Sequence, residues 1–282
     1  MATHLLFDIG GTKIRLAPCK DGVIGDIVTI KNPSSYTDAL QEISQALKDF
    51  SLEEGFSGGA GGVAGLLNKE KSKLFHAPHL VGWVGKDLKL DLEKITGGSV
   101  FLENDSAIVG LGEAHFGAGK DFDIVMYMTV STGVGGSRIV GGKIDASLSG
   151  FEPGHQIIDF SGAVEPRFNV TGTLENFISG SAVSSQLGKS VVFVPSQDPL
   201  WDDLAEKTAY GIYNSILHWS PHVVVLGGSM ITGSPAIPLD AISAYLREIN
   251  QIYPELPLIK KATLKDVGGI HGASIYLKQH LS

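Results

Sequence analysis

Four short segments of this chain carry side chains suited to acid–base and phosphoryl chemistry. Asp8 closes the apolar run Leu5-Leu6-Phe7, just before Gly10-Gly11-Thr12-Lys13. Asp105 follows Val100-Phe101-Leu102 within Glu103-Asn104-Asp105-Ser106. Glu152 and His155 share Gly150-Phe151-Glu152-Pro153-Gly154-His155, and Glu175 ends Gly172-Thr173-Leu174-Glu175. A carboxylate where a strand hands over to a helix can take the proton of a hydroxyl that attacks a phosphoryl group. It can equally serve as a plain helix N-cap, because Asn and Asp are favoured there. Lone Glu and His side chains are more often solvated than functional.

Three glycine turns add a second kind of chemistry. Gly10-Gly11-Thr12, Thr132-Gly133-Val134-Gly135-Gly136 and Gly227-Gly228-Ser229 each follow a strand-like apolar run. Bare backbone N–H groups in such turns cradle phosphate, and a carboxylate such as Asp8 nearby can meet a magnesium ion. One turn alone is a weak signal. Three, two of them in matching hairpins, are what a nucleotide gripped from two halves requires. Gly10-Gly11 reads as a primed hairpin turn at positive φ. Gly119-Lys120 and Gly188-Lys189-Ser190 end like a P-loop, but Ala114 and Val183 stand where its leading glycine belongs.

The elements that must position these residues follow from periodicity. Val23–Ile30 reads as a third strand beyond the Asp21-Gly22 turn, and Tyr36–Phe50 as an amphipathic helix with Leu40, Ile43 and Leu47 on one face. Ser57–Leu67 suits a strand ending in a glycine-rich loop, and the helix Ala107–Ala114 follows Ser106. The pattern then restarts: strand Asp123–Val130, glycine turn, return strand Ser137–Val140, turn, Lys143-Ile144. Leu200–Trp219 is helical, His222–Leu226 is a buried strand, and Ala273–Leu281 is a closing helix. Repetition of one device implies an internal duplication, and hence two similar α/β halves facing each other across a cleft.

Composition narrows the partners. The 22 basic and 30 acidic residues give a net charge of −8, without any basic cluster, which argues against nucleic acid or an anionic membrane. The 36 glycines in 282 residues are nearly twice the usual share of about 7%. Cys19 is the sole cysteine, so neither an internal disulfide nor a thiolate zinc cluster is available. The chain enters strand pattern at once and has no membrane-length apolar run, so the expectation is a cytoplasmic protein.

Together these segments resemble the ROK family of sugar kinases, and the matches run in order along nearly the whole chain. They include Asp8–Thr12, Gly61-Gly62-Val63, Ala77-Pro78-His79-Leu80, Glu103–Ala107, Ser131–Gly136, Glu152–His155, Gly172–Glu175, Leu226-Gly227-Gly228 and Lys265–Ala273. The resemblance implies two duplicated ribonuclease H-like (actin/hexokinase-type) domains around a central cleft. Residues 1–106, joined by helix 271–282, would form the smaller domain, and residues 107–270 the larger. It further implies Asp105 as catalytic base and Gly62, Asn104, Glu152, His155 and Glu175 as sugar contacts. Gly10, Gly11, Thr12, Lys13, Thr132, Gly133, Gly227 and Gly228 would bind ATP, with Asp8 near Mg2+ through water. A homodimer stays open.

One departure from the family pattern stands out. Many members carry three cysteines before the matched Glu that hold structural zinc with the matched His, whereas this chain has Pro166, Phe168 and Thr173 there. The expectation is no structural zinc, with His155 freed for the sugar. Glu165 and Asp159 stand at no matched position, and Phe160, Val164, Phe168 and Phe177 would hold the segment by packing. The reading is an ATP-dependent hexose kinase, glucose first, with an N-acetylhexosamine (N-acetylmannosamine or N-acetylglucosamine) kinase or fructokinase as rival. An inactive sugar-binding protein would not need Asp8, Asp105 and three glycine turns. A sugar-responsive repressor would need a helix-turn-helix ahead of the first hairpin.

Overall fold

Continuous burial of Leu5–Ile9 in β1 (Thr3–Ile9) and alternation in β2 (Lys13–Lys20) make the first hairpin, paired antiparallel from Thr3↔Lys20 to Ile9↔Ile14. A strand covered on both faces reads as one apolar run, whereas a partly solvated strand alternates. The computed structural model describes residues 2–33, 35–159 and 172–281. The chain divides into two compact units, residues 1–112, 146–150 and 266–282 in the first and 113–145 and 151–265 in the second.

In the first unit the other edge of β2 pairs with β3 (Val23–Ile24) and β4 (Val28–Lys31). The expected single strand 23–30 is thus broken. Pro18 of β2 has no N–H for the ladder at that point, and the chain bulges over it, with Gly25 N donating to Pro18 O at 2.8 Å. α1 (Tyr36–Asp49) is capped by Ser35 and buries Ala39, Ile43 and Leu47. β5 (Gly59–Val63) runs parallel to β1, and β6 (Leu66–Leu67) and β7 (Leu74–His76) form a small hairpin. α2 (Leu88–Thr96) leads to β8 (Val100–Asn104), parallel to β5, and α3 (Asp105–Phe116) follows at once, two residues earlier than its apolar pattern predicts. The sheet order is β3-β2-β1-β5-β8.

The second unit repeats the design. β9 (Ile124–Val130) and β10 (Val134–Val140) pair antiparallel from Ile124↔Val140 to Val130↔Val134, and β11 (Lys143–Ile144) extends the edge. Gly135 and Gly136, expected in the turn, belong to β10. A Cβ on Gly136 would lie 2.7 Å from Pro153 Cγ, so glycine is needed there for packing rather than for turning. β12 (Ile157–Asp159) and β13 (Gly172–Thr173) form a two-stranded ribbon. α4 (Leu174–Ile178), α5 (Gly180–Leu187) and α6 (Leu200–Trp219) follow, α6 with the expected bounds and Leu204, Ala205, Ala209, Ile212 and Ile216 buried.

β14 (Val223–Gly227) lies parallel to β9, followed by α7 (Ser229–Thr232), α8 (Leu239–Ile249) and β15 (Leu258–Lys261), giving the order β11-β10-β9-β14-β15. Each unit is therefore one ribonuclease H-like half of the expected duplicated α/β fold.

α9 (Gly268–Leu281) returns to the first unit and packs on β1 and β5. It crosses α3 backbone to backbone, since a Cβ on Gly112 would lie 2.5 Å from Gly268 O. In the second unit Glu113 is buried, and its Oε1 accepts from Thr263 N (2.9 Å) and Leu264 N (2.7 Å) while Oε2 accepts from Ala118 N (2.8 Å). Among the described residues no helix is long and apolar enough to cross a membrane. Phe177 is buried as expected, whereas Phe160, Val164, Glu165, Pro166 and Phe168 lie outside the described residues.

Candidate active site

Parallel pairing brings the first unit's residues to one sheet edge, because Asp8 stands opposite Gly62 and Gly62 opposite Glu103. The carboxyl ends of parallel strands are the usual ligand-binding edge of such sheets. A Cβ on Gly62 would lie 2.8 Å from Asp105 Cα, so the start of α3 rests on bare backbone. Asn104 is the cap of that helix: its Oδ1 accepts from Ser106 N (3.0 Å) and Ala107 N (3.2 Å), and its Nδ2 donates to Gly65 O (3.0 Å). Asp105 Oδ1 accepts from Ser106 N at 2.8 Å. Capping therefore falls to Asn104, and the carboxylate of Asp105 sits on the first turn beside Gly62.

Glu103 behind them is buried and ion-paired with Lys71. Its Oε1 accepts from Asn104 N (2.9 Å), and Tyr276 OH donates to its Oε2 (3.4 Å). Burial and this carboxylate push the Tyr276 hydroxyl above its usual range. Lys71 and Tyr276 carry no signal of a role in the sequence, since folding alone brings them to Glu103.

The first glycine turn departs from expectation in its conformation. Neither Gly10 nor Gly11 lies at positive φ, so there is no primed turn. Gly10–Thr12 form a three-residue loop in which Gly10 N donates to Lys13 O at 2.9 Å. Glycine is required at 11 for space, because a Cβ there would lie 2.8 Å from His79 Cβ. Asn32 anchors the loop through Nδ2 to Gly10 O (2.6 Å) and its own N–H to Thr12 O (2.9 Å). Asn32 was not legible in the sequence; pairing of Lys13 with Lys31 delivers it. Thr12 and Lys13 are exposed.

Asp8 is buried against Gly269 at the start of α9 and accepts from Arg15 Nη1 at 3.2 Å. Burial pushes its carboxyl up, against the pull of Arg15. A buried carboxylate beside a glycine turn has the chemistry to meet a water on a magnesium ion, were one bound there. Among the described residues no group of three or more His, Cys, Asp or Glu could hold a metal, and Thr173, at a matched cysteine position, precedes α4.

The second unit gathers the remaining residues. Its turn is fixed by the α4–α5 segment: Gly180 N donates to Ser131 O (2.7 Å) and Ser181 Oγ to Thr132 O (2.6 Å). Ser131 Oγ lies 3.1 Å from Ser229 Oγ, which places the Gly227-Gly228-Ser229 turn alongside. Gly228 has φ 85°, where glycine alone is unstrained. Glu152 and His155 are exposed on the turn Pro153–His155, which lies directly on β10, since a Cβ on Gly154 would meet Val134 O at 2.2 Å. Leu174 N donates to Gln156 O (2.9 Å) and so fixes α4 beside that turn. Glu175 reaches further than expected for a sugar contact, because its Oε2 accepts from Val134 N at 2.7 Å.

Residues 5–280 match the ROK family as a whole. The N-acetyl-D-glucosamine kinase of Pectobacterium atrosepticum is 26% identical, over 95% of this chain and 97% of that protein. The glucokinase of Thermotoga maritima is 30% identical over 185 residues, 62% of this chain and 57% of that protein. The crystal structure of the ROK hexokinase from Thermus thermophilus superposes with a TM-score of 0.81 at 26% identity, covering 99% of this chain and 100% of that one.

Proposed function

The chain belongs to the ROK family, and from that premise we propose that it is a sugar kinase moving the γ-phosphoryl group of Mg-ATP to the 6-hydroxyl of a hexose. The observation that carries this reading is the pair Asn104-Asp105. Asn104 caps α3, so the cap does not depend on Asp105, whose carboxylate stands on the first turn beside Gly62 and would act there as general base. Asp105 would take the proton of the 6-hydroxyl as its oxygen attacks the γ-phosphorus, while the departing oxygen stays with ADP. Gly62, Asn104, Glu152, His155 and Glu175 hold the sugar. Gly10–Lys13, Thr132, Gly133, Gly227 and Gly228 hold the nucleotide, and Asp8 orients the magnesium through water. The protein works in the cytoplasm without structural zinc.

Glucose is the first candidate, supported by the Thermotoga maritima glucokinase. A specific observation favours a second reading, N-acetylglucosamine: the Pectobacterium atrosepticum kinase is similar over 95% of the chain. Coupled detection of ADP release with glucose, N-acetylglucosamine, N-acetylmannosamine and fructose decides between them. ADP release with none of these, from protein that binds nucleotide, would refute the kinase reading.

A further inference from the structure

Glu175 occupies a position that its role as a sugar contact does not explain. Its Oε2 accepts the backbone N–H of Val134 at 2.7 Å, and a Cβ on Gly133 would lie 2.7 Å from the same oxygen. The carboxylate therefore occupies the Val134 N–H, next to Gly133 in the turn assigned to phosphate. The carbonyls of Ser131 and Thr132 are held by Gly180 N and Ser181 Oγ. The turn is thus pinned by two carbonyls, and one of its donors, the Val134 N–H, already serves an anion.

A phosphate in this turn would compete for that donor. One N–H cannot serve two anions, and like charges repel strongly where water is scarce. Nucleotide can take the Val134 N–H only when Glu175 leaves it. The backbone under Glu175 cannot supply the motion, because α4 is fixed by Leu174 N on Gln156 O (2.9 Å) and by the Leu174 side chain against Gly211. Rotation of the side chain itself can. What would draw it away is another set of hydrogen-bond donors within reach, and sugar hydroxyls are such donors.

Resting on the kinase reading, we propose that Glu175 couples the two ligands: without sugar its carboxylate occupies the Val134 N–H, and sugar binding withdraws it and frees that donor for nucleotide. Sugar then strengthens nucleotide binding.

The test is isothermal titration of Mg-AMPPNP into wild type, Glu175→Gln and Glu175→Ala in the absence of sugar. A hydrogen bond to a charged group has a net worth that corresponds to about ten- to a hundred-fold in affinity. Both variants should therefore bind AMPPNP at least ten-fold more tightly than wild type. Glucose and N-acetylglucosamine, added in turn, should tighten AMPPNP on wild type if they bind and change nothing on the variants. Equal or weaker AMPPNP binding by both variants without sugar would overturn the coupling alone, because a residue that merely braces the turn can only weaken nucleotide when removed. Failure of all three proteins to bind AMPPNP under every condition would overturn the kinase reading and the coupling together.

Discussion

Asp105→Asn separates what this residue does chemically from what it does for the fold. The amide keeps the size of the carboxyl and one oxygen, so the bond from Ser106 N at 2.8 Å has an acceptor in the variant. The cap is untouched, because Asn104 Oδ1 supplies it to Ser106 N and Ala107 N. Locally the variant loses one negative charge in the first turn of α3, worth about 0.3–1 kcal/mol. In a chain of this size that lowers the Tm by no more than about 4 °C. The chemical loss is larger: an amide cannot take the hydroxyl proton, and general-base catalysis contributes ~10²–10⁴ in rate, or about 2.7–5.4 kcal/mol of barrier. The expected result is kcat down by at least about a hundred-fold, with sugar affinity and Tm close to wild type. Coupled ADP release gives kcat, and calorimetric titration gives the sugar Kd. A variant that retains more than about a tenth of wild-type kcat would refute the assignment, since a lost base costs ~10² at the least.

Three further outcomes are expected. Gly11→Val should weaken AMPPNP far more than sugar, because its Cβ falls 2.8 Å from His79 Cβ at the nucleotide loop, whereas Gly133→Val should weaken both, its Cβ falling 2.7 Å from Glu175 Oε2; paired titrations distinguish the two. Gly154→Ala must push the Glu152–His155 turn off Val134 O, which lies 2.2 Å from the new Cβ, raising the sugar KM and costing about 1–3 kcal/mol in stability by thermal melting. Purified protein should carry no stoichiometric zinc by elemental analysis, and a chelator should leave its Tm unchanged once magnesium is restored; one zinc per chain would contradict this.

Local patterns were legible where the physics is local. The two glycine hairpins, α6 and the buried strands follow from periodicity and turn residues. α2 (Leu88–Thr96) and α8 (Leu239–Ile249) were missed, and neither carries a side-chain cap to mark its start. The start of α9 was missed because Gly268-Gly269 are poor helix formers; Gly269 clears Asp8, as Gly272 further on clears α3. The primed turn at Gly10-Gly11 failed for a related reason: glycine can be demanded by space as well as by φ, and only a neighbour such as His79 reveals which. Asn32, Lys71 and Tyr276 carry no signal of their own in the sequence, since pairing and helix packing bring each to its partner.

Glu113 has a consequence for how this chain can vary. One buried carboxylate serves Ala118 N nearby and Thr263 N and Leu264 N some 150 residues later. It acts as a gauge between two stretches that share no strand pairing. Lengthening either stretch by a residue would draw its N–H groups off the carboxylate and strand a buried charge. Insertions and deletions in descendants of this sequence should therefore avoid 114–118 and 262–264. Loops that answer to no such gauge remain free to change length.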